Sequence, residues 1–264
     1  MSDVNPPGET RPLIERPALW RRLVAETVGT GLLVTVVVGS GIAAQQLSPG
    51  QVGLQLLENS TATVFGLSVL ILLFGPVSGA HLNPVVSAAD WYLGRRARTG
   101  LVSRDVGAYA VAQVAGAICG AILANLMYGL DAVQVSTHER ASWPAGLAEG
   151  VATAGLIALI FALAGTGRGA LAAAAVGAYI GSAYWFTSST SFANPAVTIG
   201  RIFSDTFAGI APSSVPPFVL AQLAGAALGV VLVLVLYPDI TGGSAPARAV
   251  AADLTSTETS KERV

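Results

Sequence analysis

Charge is scarce in this chain. Only 11% of its 264 residues are charged and 53% are hydrophobic, with a mean hydropathy of +0.64. Soluble domains carry about 25% charged residues, so the composition excludes one and reads as a polytopic membrane protein. The net charge of −1 offers no basic surface for a nucleic-acid partner. There is one cysteine, Cys119, inside an apolar segment. It cannot form an intramolecular disulfide and reads as a packed small residue. Two histidines and this one cysteine, scattered along the chain, do not make a metal or nucleophile cluster, which argues against a membrane enzyme. No metal and no cofactor is expected. The N-terminal stretch lacks a cleavable signal pattern, because its first apolar segment is too long and no clear small-residue cleavage site follows.

Long apolar runs are abundant. Segments long enough to span a bilayer lie near 20–44, 52–75, 105–127, 145–165, 170–188 and 215–237. Residues 1–18 and 238–264 read as polar, disordered cytoplasmic tails around a channel-sized region, 19–237. With the N-terminus in the cytoplasm, 12 of the 14 Lys and Arg residues fall inside, and only Arg140 and Arg201 fall outside. That bias predicts six spans in the inner membrane with both termini cytoplasmic.

Two short stretches between the spans repeat one message, Ser78–Val85 (SGAHLNPV) and Ser191–Ala196 (SFANPA). Asn is a good N-cap and Pro is best tolerated at the first helical position, so each Asn-Pro predicts a helix start. The boxes are Asn83-Pro84-Val85 and Asn194-Pro195-Ala196. About ten helical residues follow each, rising about 15 Å, half of a hydrocarbon core about 30 Å thick. Two such half-helices can meet end to end at mid-membrane with their positive ends facing. Irregular backbone is tolerated at that depth only where it is packed in protein or lines a watery path.

The chain also repeats itself. Ala25–Thr30 (AETVGT) opens the first span and Ala148–Thr153 (AEGVAT) the fourth; Gln113–Gly120 (QVAGAICG) lies in the third and Gln222–Gly229 (QLAGAALG) in the sixth. Matched motifs in one order give two halves of three spans, about 19–127 and 145–237. An odd number of spans per half inserts the halves in opposite orientations and puts the functional site between them at the midplane. The Gly-x-x-x-Gly inside each Gln motif predicts close helix packing. The fold class is therefore all-α: six membrane helices plus two half-helices in an inverted 3+3 repeat.

On these paired Asn-Pro boxes, Ala-Glu motifs and Gln-x-x-Gly-Ala motifs, residues 19–237 resemble the aquaporin/aquaglyceroporin (major intrinsic protein) family. The resemblance implies an hourglass channel in the lipid bilayer, a homotetramer with one pore per protomer, no enzymatic activity and no cofactor. If Asn83 and Asn194 cap their helices through oxygen, their NH₂ groups remain free to orient a passing solute. The converging helix ends disfavour cations and protons. Glu26 and Glu149 are the only acids well inside the spans. A buried carboxylate needs partners, and the matching family residues brace the half-helix loops by accepting backbone N–H groups.

The resemblance assigns the narrowest point to Thr63, Ser182, Ser191 and Val197, with Gly181 or Ala183 replacing Ser182 if the helix slips by one residue. Water-selective members carry Phe and His at the first two positions, and Arg is usual at the fourth, where this chain has Val197. Arg narrows a passage, donates hydrogen bonds and repels cations; Val does none of these. The expected constriction is wide, uncharged and mildly polar. Glycerol, urea and As(OH)₃ fit it, and the Val-for-Arg change looks like a bacterial aquaglyceroporin branch associated with arsenic-resistance operons. An ordinary glycerol/water facilitator and an ion-coupled secondary transporter are the alternatives.

Two residues bear on the ends of the path. Arg201, four after Val197, is expected in the vestibule, paired with Asp205 or water; partial replacement of the missing charge is the other reading. His81 is expected as a hydrogen-bonded loop residue rather than a pH gate. His138, Glu139 and Arg140 are expected in a solvated outer loop.

Overall fold

The computed structural model describes residues 16–95 and 99–238. Apart from residues 16–18 and Pro238, the two expected tails lie outside the described residues, as do Arg96 and Arg98 of the charge count.

The elements are α1 (Leu19–Leu47), α2 (Val52–Ser78), α3 (Pro84–Gly94), α4 (Ser103–Met127), α5 (Trp143–Gly165), α6 (Ala172–Phe186), α7 (Pro195–Gly200) and α8 (Val215–Leu236). Six of them are long and apolar enough to cross a membrane, α6 together with the 3₁₀ turn Gly169–Leu171 that leads into it. The two short ones, α3 and α7, start at the Asn-Pro boxes, and α7 tightens into a 3₁₀ turn at Arg201–Phe203. Residues with the same local signals start other helices: Ser142 caps α5, its hydroxyl accepting Ala145 N, with Pro144 in the first turn. Gly79 ends α2 in the left-handed conformation, with φ 91°.

Helices pair alike in the two halves. α1 packs on α4 and α5 on α8, α2 meets α6 across the seam, and each half-helix also packs against the opposite half, α7 on α4 and α3 on α8. The Gly-x-x-x-Gly motifs make the tightest seams. A Cβ on Gly120 would fall 2.1 Å from Gly31 O, and one on Gly225 would fall 2.3 Å from Gly150 O. Only glycine permits these approaches. At one end of the bundle, Arg22 and Asp105 tie α1 to α4 through a 2.8 Å ion pair.

Large apolar side chains point outward along the helices, Phe65, Val69, Val111, Leu220, Val231 and Val235 among them. Glu26, Asn59, Gln113, Glu149 and Gln222 point inward. This inside-out pattern suits a chain solvated by lipid, where backbone and polar groups must be satisfied internally.

Candidate solute pathway

The site is built on two loops that precede the half-helices. Asn83 Oδ1 accepts Val85 N at 3.1 Å, and Asn194 Oδ1 accepts Ala196 N and Val197 N at 3.0 and 3.3 Å. The side-chain amides then cross the seam: Asn83 Nδ2 donates to Ala193 O at 2.8 Å and Asn194 Nδ2 to Leu82 O at 2.7 Å. The expectation of wholly free NH₂ groups is corrected. One N–H of each amide joins the two loops, so at most the second N–H of each remains for another partner.

Each loop is strained and braced. Ala80 and Leu82 (φ 46° and 48°), like Ser191 and Ala193 (51° and 47°), are non-glycine residues in the left-handed region, at a cost of roughly 1–2 kcal/mol each. Glu26 holds the first loop, Oε1 accepting Ser78 Oγ (2.6 Å) and His81 N (3.0 Å), Oε2 accepting Leu82 N and Gln113 Nε2 (both 2.7 Å). Glu149 holds the second, accepting Ser189 Oγ (2.6 Å), Phe192 N and Ala193 N (both 2.8 Å) and Gln222 Nε2 (2.7 Å). Gln113 also reaches Ser87 Oγ and Gln222 reaches Thr198 Oγ1, tying each brace to its half-helix. His81 Nδ1 lies 3.1 Å from Ser87 Oγ, and its ring stacks at a tilt on Tyr109.

A narrow cavity with about 110 Å³ of room passes both asparagines. Its walls follow a four-residue period, as one helix face must: Thr63, Leu67 and Ile71 on α2, and Val176, Ile180 and Tyr184 on α6. Asp90 and Phe161 line one end; Thr63, Tyr184, Ser191, Phe192, Val197 and Arg201 line the other. Of the four constriction residues expected, Thr63, Ser191 and Val197 reach this cavity and Ser182 does not. Ser182 is exposed on the outer face of α6, its hydroxyl bonded to Tyr179 O at 2.8 Å, and neither Gly181 nor Ala183 lines the cavity. From α6 it is Tyr184 that lines the cavity near Thr63, its hydroxyl 3.2 Å from Thr63 Oγ1. Counting back from Asn194 crosses the loop after Phe186, where a helical count no longer holds; the stripe 176–180–184 is the signal that finds Tyr184.

Arg201 also departs from expectation. Asp205 is engaged elsewhere, accepting Thr137 N at 2.8 Å and Thr137 Oγ1 at 3.1 Å. Those bonds, the backbone N–H foremost, hold its carboxyl below the usual range. Arg201 instead turns inward, 3% exposed, with Nε donating to Ala208 O and its guanidinium 3.5 Å from the centre of the Phe192 ring. This end of the cavity therefore carries an aromatic ring and a guanidinium, where only uncharged, mildly polar residues were expected. Arg140 and Glu139 are not merely solvated: Arg140 donates to Gly209 O and Phe207 O, and Glu139 accepts Ser213 and Ser214 hydroxyls, pinning the loop between α4 and α5 to the segment before α8. Burial pushes the Arg140 guanidinium down from its ordinary value.

Sequence reasoning also missed Asp90. It lies seven residues after Asn83, as Arg201 lies seven after Asn194, and its Oδ2 accepts Leu101 N at 2.7 Å. The bracing hydroxyls Ser78 and Ser189, each five residues before its Asn, were legible as a further matched pair.

Residues 13–191 match the model of the major intrinsic protein family. The chain is 49% identical over 214 residues to aquaglyceroporin AqpS of Rhizobium meliloti (strain 1021), covering 81% of this chain and 89% of that protein. It is 34% identical to the glycerol uptake facilitator protein of Pseudomonas aeruginosa, covering 81% and 87% respectively. The X-ray structure of the aquaglyceroporin from Plasmodium falciparum superposes with a TM-score of 0.60 at 21% identity, covering 84% of this chain and 99% of that one.

Proposed function

The chain belongs to the major intrinsic protein family, a family of passive channels and not enzymes, and on that premise we propose that the cavity between Asn83 and Asn194 is its pore. The channel conducts small neutral solutes. Those that suit this pore carry several hydroxyls and no net charge: water, glycerol and trivalent arsenicals as As(OH)₃. What supports this range is the hydroxyl-bearing wall, with Thr63, Tyr184 and Ser191, beside a Val197 that leaves room where Arg is usual. The single observation that carries the pore reading is the continuous cavity passing both helix caps. The narrow passage through capped helix ends disfavours cations.

The same reading puts the protein in the inner membrane as a homotetramer with both termini cytoplasmic. The arginine bias supports that orientation. Ion-coupled transport is the rival class, and the committed carboxylates count against it. All four hydrogen bonds accepted by Glu26, and all four accepted by Glu149, come from groups that hold the loops.

Stopped-flow light scattering on proteoliposomes, under matched gradients of water, glycerol and neutral arsenite, tests the proposal. Fast passage of glycerol or arsenite is expected, and arsenite well above glycerol selects the arsenical reading over an ordinary glycerol facilitator. Water flux alone contradicts the solute range proposed.

A further inference from the structure

We propose that Arg201 supplies the positive charge of the outer constriction from one helical turn beyond Val197, and that with Ser191 it forms the subsite that admits hydroxylated neutral solutes and rejects cations. The inference rests on the cavity being the pore. Four observations meet at this point. Val197 and Arg201 are four residues apart and both line the cavity, so an Arg at 197 would set two like charges on one helix face. The Arg201 guanidinium is fixed by Ala208 O on one side and the Phe192 ring beneath it. That leaves its terminal NH₂ groups as donors in a planar fork. Among the described residues no carboxylate lies within ion-pair distance of it, since Asp205 serves Thr137. Ser191 Oγ, on the same wall and 4% exposed, is buried without any hydrogen-bond partner.

A buried hydroxyl without a partner costs free energy that a passing solute can recover. A neutral polyhydroxy solute matches both groups: its oxygens accept from the guanidinium while one of its hydroxyls donates to Ser191 Oγ. A cation gains nothing at Arg201 and meets an uncompensated charge in a narrow, poorly hydrated passage. The opposite half reverses the sign at the equivalent position, Asp90, so the cation barrier belongs to the outer mouth alone.

Urea and guanidinium are nearly equal in size and shape and differ in charge, so they isolate the term. Uptake of each, labelled and at low concentration, is measured in proteoliposomes holding the intact protein, Arg201→Gln or Arg201→Lys. Wild type passes urea and excludes guanidinium. Arg201→Gln raises the ratio of guanidinium to urea permeability by at least about tenfold, whatever the change in urea flux itself; Arg201→Lys keeps the exclusion. If Arg201→Gln does not assemble, Arg201→Met, whose apolar stem packs on Phe192, carries the same expectation. Unchanged exclusion in a neutral variant that still conducts urea overturns the proposal. So does an equal leak in the Gln and Lys variants, which marks a merely structural role. A wild type that passes no urea instead refutes the pore reading, and does so before any variant is compared.

Discussion

Around Asn83, Glu26 gathers a serine hydroxyl, two loop N–H groups and a glutamine amide; around Asn194, Glu149 gathers the same four kinds of donor from the same relative positions. The faces these two loops turn to the cavity are unlike. One presents Ala80, His81 and, a little further on, Asp90; the other presents Ser191, Phe192 and Arg201. Support and lining thus obey different rules. A buried acceptor or donor left without its partner is costly, so the brace admits one solution and both halves use it. A side chain facing the path is satisfied in part by whatever passes, and its identity is free to set selectivity.

The largest expected effect comes from breaking the shared part. Glu26→Gln and Glu149→Gln each aim an NH₂ at groups that themselves donate, in loops already holding two (Ala80, Leu82) and three (Thr190, Ser191, Ala193) left-handed non-glycine residues. Each should cost about 3 kcal/mol or more, read as loss of monodisperse, conducting protein. An intact Glu149→Gln beside a lost Glu26→Gln would break the equivalence of the halves. Next comes the packing both halves share. Gly120→Ala and Gly225→Ala put a methyl 2.1–2.3 Å from a backbone oxygen and should each destabilise by about 1–3 kcal/mol in a thermal melt.

The lining should respond differently. Val197→Arg is expected to cut glycerol and arsenite flux at least about tenfold while sparing water; unchanged uptake by a variant that reaches the membrane contradicts a width set at Val197. Tyr184→Phe removes one hydroxyl from the contact with Thr63 and should change stability by only about 1 kcal/mol, with a small shift in solute preference. Ser182→Ala, on the outer face of α6, should leave flux and melting unchanged; a changed filter in that variant would restore the position reached by counting.

The contrast also explains what the sequence could and could not reveal. Paired motifs announced the spans, the half-helices and the inverted repeat, because symmetry writes the same residues twice. Glu26 and Glu149 stood out as lone acids in apolar segments. The residues lining the cavity beside Asn194 differ from their counterparts beside Asn83, Arg201 standing where the other half has Asp90, so the repeat offers no check on them. Ser182 was reached by counting across an irregular loop, and Arg201 was assigned to Asp205 by proximity in sequence. Tertiary contact decided otherwise, since Thr137 reaches Asp205 and Phe192 offers Arg201 a ring.

The central claim is that two identically braced loops enclose one passive pore. Glycerol movement in proteoliposomes at zero glycerol gradient, with a proton or sodium gradient imposed, tests it most directly. The account predicts no net movement until a glycerol gradient is applied, and equal rates for equal and opposite glycerol gradients. Net glycerol accumulation driven by the ion gradient alone would contradict it.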